Sequence, residues 1–204
     1  MKIICIGHNY AAHNRELFGG YKGNPVFFMK PDTALLRNNA PLYYPEFTQD
    51  LQYEVELVLR IHRVGRCIAP TFASRYYNEI GIGIDFTARD LQRTCKEQGL
   101  PWECCKSFDY SAPVSATFIP IANFADLKNI NFSLTLNQNV VQQGNTADMI
   151  FDFDHIVSYI SNFVTLKMGD LIFTGTPAGV GAVKIGDTLA ASIEGQEMLR
   201  TSIK

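Results

Sequence analysis

The sequence predicts an α+β fold weighted towards β, and three observations lead there. Short runs rich in β-branched and aromatic residues, bounded by Gly, Pro or Asn, recur along the chain and outnumber the helical segments. Strands and helices do not alternate regularly, which argues against a doubly wound parallel sheet. Hydrophobic residues make up 47% and charged residues 19%, which excludes disorder, collagen and coiled coil. With 204 residues the expectation is a single domain over 1–204. A chain of that size buries roughly 70% of its unfolded surface and needs no disulfide or metal to hold its core.

The elements follow in order. Residues 2–6 form a first strand; their apolar stretch stops at Gly7-His8, too short for the core of a signal peptide. Residues 10–17 read as a short helix ended by Gly19-Gly20, and 26–29 as a strand. The longest strands are 53–61 and 80–86. Thr87-Ala88-Arg89-Asp90 has the pattern of a capping box, opening a helix that stops at Gly99-Leu100-Pro101. Strands are expected at 115–119, 132–137 and 171–174. Between the last two, 154–166 places Ile156, Val157, Ile160, Phe163 and Val164 on one helical face. Residues 189–193 and 198–203 close the chain as a hairpin around Glu194-Gly195-Gln196.

Charge and cysteine usage narrow the function. Eighteen basic and 20 acidic residues leave a formal net charge of −2, with no general pull towards nucleic acid or an anionic membrane. The cysteines, Cys5, Cys67, Cys95, Cys104 and Cys105, are odd in number and show no CxxC spacing. That is the usage of a reducing compartment, so a cytoplasmic location is expected. The longest uncharged runs contain Pro113 and Pro120 or are rich in Asn and Gln, so no membrane span is expected.

Three constellations could carry chemistry. In a strand, residues two apart share a face, so Glu54 and Glu56 project together while Tyr53, Val55 and Leu57 face the other way. Val58 continues the carboxylate face and suggests burial, where like charges need a cation or protons. The alternative is a solvated strand face. Gly81-Ile82-Gly83-Ile84-Asp85-Phe86 ends an apolar strand in a carboxylate, either a ligand or a charge favoured at the N-terminus of the following helix. Together Glu54, Glu56 and Asp85 supply three hard oxygen donors, which suit Mg²⁺ or Mn²⁺ and not zinc. Third, His13 and Glu16 are three apart on the expected first helix: a carboxylate-oriented imidazole able to activate water, or an ordinary surface ion pair. Gly175, Gly179 and Gly181 lack the Lys-Ser/Thr of a phosphate loop and read as a tight turn. Asp90 reads as a helix cap, and His62 and His155 as structural. Cys104 and Cys105 have no histidine nearby in sequence and read as small hydrophobes.

The ordered set of motifs resembles the fumarylacetoacetate hydrolase family. It comprises Gly7-x-Asn9-Tyr10-x-x-His13-x-x-Glu16, Phe28-Met29-Lys30-Pro31 and Glu54-x-Glu56. It continues through Gly83-Ile-Asp85-Phe-Thr-Ala-Arg89-Asp90-Leu-Gln92, Lys106-Ser107-Phe108-Asp109, Pro113-Val114 and Gly175-Thr176-Pro177-Ala-Gly179-Val-Gly181. The match is nearest to the short members that hydrolyse acylpyruvates or decarboxylate oxaloacetate. The resemblance implies a β-rich mixed sheet with a few peripheral helices. It also implies Glu54, Glu56 and Asp85 as metal carboxylates, His13 and Glu16 as a water-activating dyad on a lid, and Lys106 near a developing enolate. Lys30, Gln92 and Thr176 match positions lining the substrate pocket. The expected activity is hydrolysis of a C–C bond in a 3-acylpyruvate with Mg²⁺ or Mn²⁺. The alternatives are oxaloacetate decarboxylation and isomerisation of a 2-hydroxyhepta-2,4-diene-1,7-dioate, or a binding protein that kept the fold. A homodimer acting on a small keto acid is implied as well.

Overall fold

The computed structural model describes residues 1–11 and 23–204. The expected helix over 10–17, with His13 and Glu16, lies outside the described residues except for Tyr10 and Ala11. The principal strands are β1 (Ile3–Gly7), β2 (Val26–Lys30), β3 (Val55–Ile61), β4 (Tyr77–Ile84) and β5 (Ile119–Pro120). They continue with β6 (Asn131–Leu136), β7 (Asn139–Asn145), β8 (Leu171–Phe173), β9 (Thr188–Ile193) and β10 (Gln196–Ser202). Three α-helices are described: α1 (Arg89–Gln98), α2 (Glu103–Lys106) and α3 (Phe153–Ser161). None is long and apolar enough to cross a membrane.

A six-stranded sheet runs β2-β1-β8-β3-β4-β5. Only β1 and β8 are parallel, so the sheet is mixed, as the resemblance implies. A four-stranded antiparallel sheet runs β7-β6-β9-β10. Strand alternation distributes the core. Ile4, Ile6, Leu57, Leu59 and Ile82 join Leu134, Leu189, Ala191 and Leu199 of the second sheet and Ile156, Val157 and Ile160 of α3. Their neighbours Ile3, Cys5 and Val58 fill a smaller cluster on the opposite face. Each fully buried Leu, Ile or Phe contributes about 1.5–3 kcal/mol, so this alternation fixes the register of the site-bearing strands.

Four local expectations are displaced, each by a long-range pairing. The strand expected over 53–61 is interrupted at Glu54. Leu51–Tyr53 pairs instead with Thr87–Ala88 and Gly181–Ala182 in a small three-stranded sheet. That pairing draws Thr87 into a strand, so the capping box does not form: Ala88 is the N-cap, without a side-chain hydrogen bond. Asp90 anchors the preceding loop, accepting from the Thr48 hydroxyl at 2.5 Å and the Gln49 N–H at 2.9 Å. The stop signal does hold, with Gly99 left-handed at φ +67°. Helix α3 ends at Ser161, short of 166, because Leu166 pairs with Gly65 and the Ser161 carbonyl accepts from Cys67. The expected strand 115–119 shrinks to β5, held by Glu79 and Ile80. The Asn- and Gln-rich stretch without an expected element is β7, whose backbone pairs with β6.

Candidate active site

The ends of β3 and β4 set the site. Glu56 lies opposite Gly83 in the ladder, and the Asp85 N–H donates to the Glu54 carbonyl at 2.8 Å. Gly83 is required there: a Cβ would come within 2.5 Å of the Phe173 ring and 2.9 Å of the Pro113 carbonyl. Glu54, Glu56 and Asp85 are 6%, 2% and 1% exposed, and an oxygen of each lies within 4.8 Å of the others. The predicted shared face of Glu54 and Glu56 is therefore present and buried, not solvated.

Three cations accompany the three carboxylates. Lys106 Nζ lies 2.7 Å from Glu54 Oε2, 2.8 Å from Asp85 Oδ2 and 2.6 Å from the Thr87 hydroxyl. Lys30 Nζ lies 2.8 Å from Asp85 Oδ1 and donates to Ser111 Oγ at 2.9 Å and to the Lys106 carbonyl. Arg89 Nη2 meets Glu54 Oε1 at 2.5 Å, while its other nitrogens hold Gln92 Oε1 at 2.6 Å and Gln52 Oε1 at 2.8 Å. Burial of charge is costly unless it is paired and hydrogen-bonded, and this network meets that condition everywhere but at Glu56. Among the described residues Glu56 forms no ion pair; its Oε2 accepts from the Gly175 N–H at 2.7 Å. That amide reaches it because Gly175 adopts φ +102°, where a Cβ would also strike Asn9 at 2.7 Å.

Electrostatics follow the geometry. Burial, then the charges of Asp85 and Glu54, push the Glu56 carboxyl well above the usual carboxylate range, against the Gly175 N–H and Lys106. Burial alone would lower Lys106, but Asp85 and Glu54 outweigh it and hold the ammonium above its ordinary value. Lys106 thus presents a positive charge held between two carboxylates. A divalent cation fits this set. The donors are all hard oxygens, and the least neutralised of them, Glu56, is relieved by added positive charge. No other cluster of three metal-ligating side chains occurs among the described residues.

Six of the predicted residues converge on one pocket: Glu54, Glu56, Asp85, Lys106, Gln92 and Thr176. Its free space is about 20 Å³, room for one water-sized species. Lys30 does not line it; the structure places its ammonium behind Asp85, enclosed by Ser111 and backbone carbonyls. His8, left-handed at φ +63°, turns the chain at the pocket edge. Sequence reasoning missed two residues. The capping-box pattern covers Arg89, although its i, i+3, i+6 spacing to Gln92 and Cys95 marks one buried helical face. Gln142 orients Thr176 by donating to its hydroxyl at 2.9 Å, and accepts from the Val55 N–H at 2.9 Å. Nothing in its polar surroundings distinguishes it. Larger clefts of about 390 Å³ beside Asn131 and Asp148, and of about 430 Å³ beside Arg37 and Arg60, gather no comparable buried charge.

Residues 2–204 match the family described as fumarylacetoacetate (FAA) hydrolase C-terminal. Rat oxaloacetate tautomerase FAHD1, mitochondrial, is 41% identical over 202 residues, 99% of this chain and 91% of the relative. Escherichia coli oxaloacetate tautomerase YcgM is 40% identical over 198 residues, 97% of this chain and 90% of the relative. The crystal structure of a family protein from Yersinia pestis superposes with a TM-score of 0.94 at 39% identity, covering 100% of this chain and 93% of the other. Fumarylpyruvate hydrolase from Pseudomonas aeruginosa, solved with Mn²⁺ and pyruvate, superposes with a TM-score of 0.92 at 36% identity, covering 100% and 89%. With its mixed sheet and its buried carboxylate cluster, the chain belongs to the fumarylacetoacetate hydrolase family of enzymes.

Proposed function

We propose that this protein interconverts the keto and enol forms of a small 2-oxo dicarboxylate of the oxaloacetate type. The observation that carries the reading is Lys106, whose ammonium is buried at the junction of Glu54 and Asp85 and kept charged by them. Enolisation passes a proton from the carbon beside the ketone to water and returns one to the keto oxygen. The negative charge that builds on that oxygen in between is met by a preorganised cation, which lowers the barrier. A divalent cation held by Glu54, Glu56 and Asp85 would supply Lewis-acid polarisation of the substrate. Arg89 ties down the Gln92 carbonyl oxygen, which turns the amide N–H groups towards a substrate carboxylate. Gln142 donates to Thr176, so the threonine hydroxyl keeps its own proton to offer.

Charge selects the substrate class. With all three carboxylates ionised they balance Lys30, Lys106 and Arg89, and the cluster is then neutral before a cation is added. A divalent cation adds two positive charges, which a dianion offsets. The relatives named for oxaloacetate support the same choice.

A second reading is hydrolysis of a 3-acylpyruvate, the activity expected first from the sequence. It is favoured by the His13–Glu16 spacing and by the likeness to fumarylpyruvate hydrolase. In that reaction the dyad takes a proton from water, hydroxide attacks the distal carbonyl, and the C–C bond breaks to release the enolate beside Lys106. Loss of enol absorbance follows either reaction, and the substrate supplied, oxaloacetate or a 3-acylpyruvate, distinguishes the two. With Mn²⁺ the protein should accelerate equilibration of oxaloacetate, and chelator should stop it. No acceleration would overturn the tautomerase reading. His13→Ala should lower any acylpyruvate hydrolysis by ~10²–10⁴-fold; wild-type hydrolysis in that variant would remove the dyad from the mechanism. The same reading carries a homodimer of 22.9 kDa subunits in a reducing cytoplasm, which light scattering checks for mass.

A further inference from the structure

Three of the five cysteines gather on the two helices that carry Arg89, Gln92 and Lys106. Cys95 lies on the buried face of α1 that also presents Arg89 and Gln92. Cys104 and Cys105 lie on α2, directly before Lys106. Cys105 is fully buried, donates its S–H to the Trp102 carbonyl at 3.1 Å and packs with Cys95 and Ala88. Cys104 is exposed, and its Sγ lies 3.5 Å from Cys95 Sγ. That is sulfur–sulfur contact, about 1.5 Å beyond the ~2.05 Å of a disulfide. One reachable sulfur thus touches one buried sulfur, the relation between a thiol that meets an oxidant and a thiol that resolves it. No cluster of three ligand atoms forms here, which sets the group apart from a thiolate metal site among the described residues.

We propose that Cys95 and Cys104 are a reversible dithiol–disulfide pair that ties α1 to α2 behind the active site and lowers turnover when closed. With hydrogen peroxide as oxidant, the Cys104 sulfur attacks one peroxide oxygen, the O–O bond breaks, and the departing hydroxide takes the thiol proton to leave as water. A sulfenic acid remains on Cys104. The Cys95 sulfur attacks it, the S–S bond forms, and the leaving hydroxide combines with the Cys95 proton as a second water. Two thiols lose two electrons and one peroxide gains two. A dithiol reductant reopens the pair by exchange. Burial and the contact with Cys95 raise the Cys104 thiol, which slows its first attack on peroxide.

The link reaches the chemistry through the backbone. Cys104 stands two residues before Lys106, whose ammonium sits 2.6–2.8 Å from its partners. Drawing α2 towards α1 by about 1.5 Å moves that anchor, and misplacements near 1 Å can cost up to ~10²-fold in rate.

The test is peroxide treatment of the whole protein, alkylation of remaining thiols, and peptide mapping without reductant. The expected result is a Cys95–Cys104 cross-link with loss of two of the five thiols and at least about tenfold lower turnover, both reversed by dithiothreitol. Cys104→Ser, at an exposed position, should keep the reduced turnover and lose both the cross-link and the peroxide sensitivity. Cys67→Ser should behave as wild type. A Cys104–Cys105 link, a link between chains, or over-oxidised Cys104 beside an alkylatable Cys95 would overturn the pairing. A Cys95–Cys104 cross-link with unchanged turnover would overturn its coupling to the site.

Discussion

Glu54-Val55-Glu56 and Asp152-Phe153-Asp154 share one pattern, two carboxylates flanking a buried apolar residue, yet the fold uses them in opposite ways. Beside a strand, the two-residue period sends Glu54 and Glu56 to the same side, where Asp85 and three cations await them. At a helix start the chain turns between the two acids. Asp152 becomes the N-cap, exposed, accepting the His155 N–H at 2.9 Å. Asp154 accepts the Tyr77 hydroxyl at 2.9 Å. An orphan amide satisfies Asp152 and the Tyr77 hydroxyl meets Asp154, so this second pair has no need of a cation. Spacing of acids alone therefore does not make a metal centre; the conformation that carries them does.

Substitutions along both segments would break or sharpen that contrast. The largest effect is expected at Glu56, which forms no ion pair among the described residues. Glu56→Ala should abolish Mn²⁺ binding in titration calorimetry, while Asp152→Ala should bind as wild type. Wild-type affinity in the first, or loss in the second, would erase the distinction.

Lys106→Met comes next. Removing an electrostatic stabiliser typically costs ~10²–10³ in kcat. Without metal, it also leaves Glu54 and Asp85 short of a partner, a loss of about 3–5 kcal/mol when one side of a buried ion pair is removed. Added Mn²⁺ should restore much of that stability but not the rate. Melting curves with and without Mn²⁺, set beside turnover, separate the two roles.

Smaller effects belong to the helix start. Asp152→Ala removes a cap, worth about 1 kcal/mol, and should lower the urea midpoint without altering turnover. Asp154→Asn should act least, and in the opposite direction. Burial, and then Asp152, raise the Asp154 carboxyl above its ordinary 3.8, against the Tyr77 hydroxyl. A carboxyl raised on folding supports the fold below its unfolded value and loses that support as pH climbs through the folded one. The amide avoids the loss and still accepts from Tyr77. The variant should therefore melt slightly higher at pH 7, with the difference vanishing below about pH 3.8. An equal gain at pH 3 would point to packing and not charge.

How much of the site was legible depended on how local each cause is. Glu54, Glu56 and Asp85 could be read because alternation within a few residues sets which way they face. The stop of α1 could be read because Gly99 acts on its own dihedral angle. Thr87 and Asp90 misled because strand pairing with Leu51–Tyr53 overrode a cap worth only about 1 kcal/mol. Gln142 was hidden in β7, which pairs through its backbone and leaves little side-chain pattern to detect. Cys95 and Cys104 looked inert apart, and only the packing of α1 against α2 puts their sulfurs in contact.

By itself, the amino-acid sequence determined the fold class, the carboxylate face, the hard-oxygen donor set and, through its ordered motifs, the family. These follow from residue type and short-range geometry, which any strand or helix imposes wherever it lies. The tertiary structure alone decided that Lys106 and Arg89 neutralise Glu54, that Lys30 stands behind Asp85, and that Glu56 takes the Gly175 amide and no ion pair among the described residues. Those partners come from as far as 119 residues away, and which charge meets which is settled by the sheet order and the burial of its faces, not by any neighbour in the chain.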